Sequence, residues 1–285
     1  MARPAWSLLQ SCSKALFSQS RSTAAVVRGP RTTTLPPSAF SAQKPPSLVI
    51  FDKDGTLLCF HTMWIPWAMK TSHLIEKACG LTLFDDIARV LGLCTVENKV
   101  KPGLLAEGTL GQITNEISDI LVENGVSKRK AREIVLSSMQ NSNETAKTKV
   151  MVKEIANTYA LFSRLKQHGV KIAICTADNR TSSLMALNLM NVSHLVDMVV
   201  CGDDPSSLPK PHPHNALKIC EELQVSPQET IMVGDTRVDI EMAHAANLKA
   251  GVGVLSGVGC RNHLNKADFL IKNVEDLIPT FYETK

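Results

Sequence analysis

The stretch Leu48-Val49-Ile50-Phe51-Asp52-Lys53-Asp54-Gly55-Thr56-Leu57 decides the fold. Four apolar residues run straight into a charged loop, which is how a strand covered on both faces of a parallel sheet reads. Three further runs of this kind follow at 170–175, 198–201 and 230–233, with helical patterns at 180–190 and 214–223 between them. Strands alternating with helices predict a Rossmann-like α/β core, a parallel sheet with right-handed crossovers. Ser226-Pro227-Gln228-Glu229 has Pro and Glu at capping-box positions, but the apolar run at 231–233 follows at once, so it reads as a turn into a strand. Residues 249–254 and 268–271 are expected to add edge strands, and 274–281 a closing helix. More than a hundred residues separate the first strand from the second, and their pattern is helical at 64–78, 83–93, 111–123, 127–139 and 147–168. One βα connection needs far less chain. The reading is an inserted all-helical domain at about 62–160, between core segments 48–61 and 161–285, with no internal repeat.

The chain has 285 residues, 44% of them hydrophobic, enough for about two domains and too apolar for a disordered tail protein. Its formal charge of +4 is concentrated at one end. Residues 1–47 hold Arg3, Lys14, Arg21, Arg28, Arg31 and Lys44 and no acidic side chain, which leaves 25 basic against 27 acidic residues beyond them. A near-neutral body argues against a nucleic-acid binder. The first 47 residues are rich in Ser and Thr, with an apolar helical stripe through Leu9, Cys12 and Leu16 broken by Gln10, Ser11, Ser13 and Lys14. That composition predicts a mitochondrial transit peptide rather than a secretory signal, followed by a stiff linker through Pro30, Pro36, Pro37, Pro45 and Pro46. No window approaches the ~18 consecutive apolar residues of a membrane span, so no membrane association is expected. The eight cysteines, Cys12, Cys59, Cys79, Cys94, Cys175, Cys201, Cys220 and Cys260, form no C-x-x-C pair and read as small buried hydrophobes in a reducing compartment.

Each strand run ends in polar residues, and the carboxyl ends of parallel strands form the ligand crevice of such a sheet. The first gives Asp52 and Asp54, the second Thr176 and Ala177. Lys210 stands in Leu208-Pro209-Lys210-Pro211-His212-Pro213, and the last run ends Gly234-Asp235-Thr236-Arg237-Val238-Asp239. Four carboxylates, a hydroxyl and an ammonium would meet at one sheet edge. Taken singly, each of these is an ordinary turn or loop residue. As a calcium loop, Asp52-Lys53-Asp54-Gly55 would need an acidic residue at 50 and Glu at 61, where Ile50 and His61 stand.

In this order, the four motifs resemble those of the haloacid dehalogenase superfamily of phosphohydrolases, over essentially everything from Ser47 onward. The insertion resembles that superfamily's helical cap of the first type, and the short gap from Thr176 to Lys210 leaves no room for the second. The motif details are similar to those of phosphoglycolate phosphatases. The resemblance implies an aspartyl-phosphate enzyme acting on a small phosphorylated metabolite. Asp52 would be the nucleophile, which divides a hard displacement into two easier ones. Asp54, two residues on along extended chain, would protonate the leaving oxygen and later take a proton from water. Asp52, Asp235, Asp239 and the backbone carbonyl of Asp54 would hold Mg2+, directly or through water. Thr176, Ala177 and the amides that follow would bind the phosphoryl oxygens, and Lys210 would keep the carboxylates ionised and close together.

Substrate selection is expected from His61, Trp64 and Trp67 just after the first motif, and from Arg180, which would meet a substrate carboxylate or second phosphate. The plainer readings are cap core for the tryptophans and a solvated helix start for Arg180. Asp54 together with Asp235 argues against a dehalogenase. A phosphomutase or pyrophosphatase shares the motifs; a phosphonatase would need an imine-forming cap lysine such as Lys70, Lys77 or Lys99. A non-catalytic binding protein would not need every catalytic position filled. Gly251-Val252-Gly253 through Gly257 is a poor dinucleotide loop and reads as an edge strand with a turn. His212 and His214 read as loop packing rather than a metal site.

Overall fold

The computed structural model describes residues 44–148 and 152–282. Most of the stretch read as a transit peptide and linker, up to residue 43, lies outside them.

The described residues form eight strands, ten α-helices and three short 3-10 helices. Strand β1 (Leu48–Phe51) is the centre of a six-stranded sheet with β4 (Lys171–Cys175), β5 (Met198–Val200), β6 (Thr230–Gly234), β7 (Ala250–Val254) and β8 (Phe269–Ile271). The order is β5-β4-β1-β6-β7-β8, and every pairing is parallel. Phe51 lies beside Ile174 on one side and Val233 on the other, so the polar residues after these strands leave the sheet along one edge.

Alternation along β1 divides its four buried side chains between two layers. Val49 and Phe51 pack with Leu161, Phe162 and Leu165 of α6 (Thr158–Gln167), with Ala186 and Leu187 of α7 (Arg180–Leu189), and with Leu277, Ile278 and Phe281 of α10 (Leu277–Phe281). Leu48 and Ile50 face Ala216, Ile219 and Cys220 of α8 (His214–Glu222) and Met242 and Ala243 of α9 (Arg237–Ala245). The sheet is thus covered on both faces, as continuous apolar strands require.

The helices between β1 and α6 have an apolar core of their own. Helices α1 (Phe60–Cys79), α2 (Phe84–Leu91), α3 (Leu104–Glu107), α4 (Leu110–Glu123) and α5 (Lys128–Thr148) gather Ile75, Ile87, Leu91, Ile117, Leu121 and Val135. Two chain segments join this helical layer to the sheet side by side: Cys59 N–H donates to the Lys153 carbonyl and Ile155 N–H to that of Leu57.

Several expectations change. The helical layer is not purely helical, because β2 (Leu93–Cys94) and β3 (Lys99–Val100) form an antiparallel hairpin, turned at Asn98 with φ +49°. The expected helix at 147–168 is present only as α6, since Asn157 caps it by accepting from Ala160 N–H. α6 packs on the sheet, so the helical layer ends before 158. Helix α1 begins at Phe60, ahead of the expected 64, and carries Pro66 in its interior. Strand β7 is an inner strand, paired on both sides; of the two expected edge strands only β8 is at an edge, and β5 forms the other. Of the seven described cysteines, Cys175, Cys201 and Cys220 are buried, whereas Cys260 is exposed. No helix among the described residues is long and apolar enough to cross a membrane.

Candidate active site

Asp52 follows β1 directly, and its N–H donates to the Val233 carbonyl of β6 at 2.8 Å, which fixes the residue at the sheet edge. Lys210 arrives from the loop before α8 and donates to Asp52 Oδ1 at 2.6 Å and Asp239 Oδ1 at 2.7 Å. Asp235 and Asp239 flank the start of α9. Thr236 is the N-cap residue of that helix; its Oγ1 donates to Asp239 Oδ2 at 2.5 Å and its N–H to the same oxygen at 3.1 Å.

Asp52, Asp235 and Asp239 are all buried, and each offers a carboxylate oxygen within 4.8 Å of the others. One ammonium faces three carboxylates. Burial raises the Asp52 pKa from its ordinary 3.8 to about 7, with Asp239 and Asp54 adding to it and Lys210 opposing. Burial also pushes Asp235 well up, reinforced by Asp52 and Asp239. Burial works against the Lys210 charge, but Asp239 and Asp52 outweigh it and hold its pKa above the lysine range. A crowded, hard-oxygen donor set with surplus negative charge fits a small divalent cation. Asp52, Asp235 and Asp239 would hold it.

Backbone room for this cluster depends on glycines. Gly55 has φ +93°, and a Cβ there would lie 2.2 Å from Asp235 Oδ2; a Cβ at Gly257 would lie 2.1 Å from the same atom. The loop at Gly257 can therefore close on Asp235 and let Val258 N–H donate to it at 2.7 Å.

Asp54 stands apart from the three carboxylates. Lys53, fully buried, donates to Asp54 Oδ1 at 3.0 Å and to Asp178 Oδ2 at 2.9 Å. Burial raises the Asp54 pKa, only partly offset by Lys53. A raised pKa suits a proton donor. Thr176 is buried at the end of β4, and its Oγ1 accepts the Asp178 N–H at 3.1 Å. The Asn179 N–H goes to Asp178 Oδ1, so of these three amides that of Ala177 remains for a ligand oxygen.

Several of these groups open onto one cavity of about 380 Å³. Asp52, Asp54, Thr176, Ala177 and Lys210 line one part of it; Phe60, Trp64, Trp67, Leu105, Leu110 and Ile113 line the part made by the helical layer. Cys175 lines it too, but burial pushes its thiol up to about 12, which leaves it protonated and inert.

A family model for haloacid dehalogenase-like hydrolases matches residues 46–247, and this span contains Asp52, Asp54, Thr176, Lys210, Asp235 and Asp239. The chain belongs to the haloacid dehalogenase-like hydrolases. Within that family it is 30% identical over 233 residues to the pyrophosphatase PpaX of Bacillus thuringiensis, spanning 81% of this chain and 94% of that protein. It is 35% identical to PpaX of Bacillus mycoides over 131 residues, 45% of this chain and 60% of that one. Among solved structures, a predicted phosphoglycolate phosphatase from Haemophilus somnus superposes with a TM-score of 0.64 at 18% identity, covering 82% and 96% of the two chains. A beta-phosphoglucomutase from Clostridium difficile does so at 0.55 and 19%, over 83% and 97%. Both likenesses concern the fold of a haloacid dehalogenase-like hydrolase.

Two expected substrate contacts do not reach the cavity. Arg180 donates from Nε and Nη2 to both oxygens of Asp204, each at 2.6 Å, and from Nη2 to the Val199 carbonyl at 2.9 Å. It ties α7 to the loop after β5 and does not line the cavity. The His61 ring accepts the Val100 N–H at 3.3 Å and bridges α1 to the hairpin. Trp64 and Trp67 both line the cavity and belong to the helical core; Trp67 Nε1 donates to Asn143 Oδ1 at 2.7 Å. None of Lys70, Lys77, Lys99, His212 and His214 lines it. The His214 N–H donates to His212 Nδ1 at 3.1 Å, as loop packing.

Sequence reasoning passed over Lys53, Asp178 and Glu107. Lys53 sits between two aspartates at the end of a buried strand, and a buried lysine has to be paired. That was the available signal. Glu107 of α3 lines the cavity and pairs with His263 and, at 3.6 Å, with Arg237. Its partners are more than a hundred residues away, and no local pattern marks it.

Proposed function

We propose that the chain is a Mg2+-dependent phosphomonoester hydrolase that works through an aspartyl-phosphate on Asp52. The observation that carries this reading is the single cavity that holds Asp52, Asp54, Thr176 and Lys210 together, with Asp235 and Asp239 against the same lysine and nucleophile. The bound ion would neutralise part of the carboxylate charge and polarise a phosphoryl oxygen. Lys210 and the Ala177 amide would hold phosphoryl oxygens, with Thr176 fixing the loop between them. An Asp52 oxygen would attack phosphorus as the bond from phosphorus to the leaving oxygen breaks, and Asp54 would give that oxygen its proton. Asp54, now a base, would take a proton from the water that attacks phosphorus in the second step. The bond to Asp52 then breaks, and phosphate and the free carboxylate are restored. The helices from Phe60 to Thr148 would act as a cap that excludes bulk water.

A pyrophosphatase reading has one observation in its favour, the 30% identity over 233 residues to PpaX. Phosphate release from a panel of phosphomonoesters and from pyrophosphate, with Mg2+ and then with EDTA, tests both. Release from an ester that EDTA stops and Mg2+ restores is expected; no release from any compound would overturn the reading. Residues 1–47, with six basic and no acidic side chains, are further proposed to direct the chain to mitochondria. A fluorescent protein fused behind them should co-localise with that organelle, and a diffuse signal would refute it.

A further inference from the structure

The part of the cavity made by the helical layer has a distinct chemistry. Phe60, Trp64 and Trp67 form a continuous aromatic wall, with ring centroids 5.9 Å apart between Phe60 and Trp64 and 5.5 Å between Trp64 and Trp67. Leu105, Leu110 and Ile113 from α3 and α4 complete it. The charges that line the cavity are almost all negative: Asp52, Asp54, Glu107, Asp178 and Asp203. Lys210 is the one cationic side chain in the lining among the described residues, and it is already held by Asp52 and Asp239. Arg180, the expected anchor for a second anionic group, is engaged bidentately by Asp204.

A divalent ion and Lys210 would both be engaged by the transferred phosphoryl group and the carboxylates around it. No second cation is left in the described lining to balance another anion; Trp64 Nε1, buried there without a hydrogen-bond partner, is a neutral donor. A carboxylate or second phosphate on the leaving group would be desolvated against aromatic rings and beside Glu107, with no compensating cation among the described lining residues, which is costly. An uncharged apolar group gains by the same burial.

We infer that the preferred substrate is a phosphomonoester whose leaving alcohol is uncharged and carries an aromatic or bulky aliphatic body, and that phosphoglycolate, pyrophosphate and sugar bisphosphates are poor substrates. This rests on the phosphohydrolase reading above and narrows its substrate class. Leu110 is the natural place to test it, since it lines the cavity yet is 55% exposed at the start of α4, where an arginine can be accommodated without opening the core.

The experiment compares kcat/KM for benzyl phosphate, phosphoglycolate and pyrophosphate under the same Mg2+ concentration, in the natural chain and in Leu110→Arg. Benzyl phosphate should exceed the other two by at least about tenfold, a difference of about 1.4 kcal/mol in transition-state binding. Leu110→Arg should narrow or reverse that ratio by improving phosphoglycolate. Higher kcat/KM for phosphoglycolate or pyrophosphate in the natural chain would overturn the substrate class and leave the hydrolase intact. Phosphate release from none of the three, nor from a wider ester panel, would remove both.

Discussion

Asp52 is the residue on which the chemistry turns, and Asp52→Asn removes its charge at nearly constant volume. The variant should fold, because Lys210 retains Asp239 as a partner. Turnover should fall by about 10³-fold or more, the scale of removing a nucleophile. Substantial residual activity in a protein with unchanged circular dichroism would exclude its role. Lys210→Met should cost roughly 10²–10³ in kcat/KM, because the developing phosphoryl charge loses its fixed cation. The same cluster sets a pH dependence in the metal-free protein. Burial lifts the folded Asp52 pKa to about 7 against an ordinary 3.8, and lifts that of Asp235 well above its ordinary value too. Between those values the folded state holds protons that the unfolded state has lost, so stability falls as pH rises through that window. Thermal midpoints in EDTA should be several degrees lower at pH 8 than at pH 5.5. His244, raised by its hydrogen bond to Asp268, contributes in the same direction, but only the carboxylate part should be recovered on adding Mg2+. Equal midpoints with and without the ion at pH 8 would contradict a metal site here.

At the scale of elements, the loops after β1 and β7 shape the site as much as the strand ends do. Gly257→Ala would place a methyl group 2.1 Å from the Asp235 carboxylate, and the loop or the carboxylate must move. A loss of about 1–3 kcal/mol in stability, with weaker Mg2+ activation, is expected from denaturation and metal titration of the variant. Wild-type values would show that the loop has slack the close approach denies. The sheet itself was legible because β1, β4, β5 and β6 are largely apolar runs, and β1, β4 and β6 lead straight into Asp52, Thr176 and Asp235. Strand β7 was harder to place, since Gly251 and Gly253 thin its apolar pattern and an inner strand reads as an edge. The hairpin in the helical layer escaped because strands of two residues leave no period to detect. Arg180 misled for a different reason: spacing from Thr176 places it near the crevice, while the pairing with Asp204 that turns it away is a tertiary contact.

The whole molecule joins a sheet that holds the charges to a helical layer that closes over them. Glu107 crosses between them, from α3 to His263 and Arg237. Glu107→Gln should loosen this contact and raise KM several-fold while kcat stays within about a factor of 2, since no step of the reaction uses Glu107. An unchanged KM would show that the contact does not govern closure. The proposed reaction depends on a covalent bond between Asp52 and phosphorus. The direct measurement is to mix the purified chain with Mg2+ and benzyl phosphate carrying a radioactive phosphorus label, quench in acid within one turnover, and map the label. It should appear on the peptide containing Asp52 and be absent in Asp52→Asn. Release of labelled phosphate with no protein-bound label at any time would contradict it.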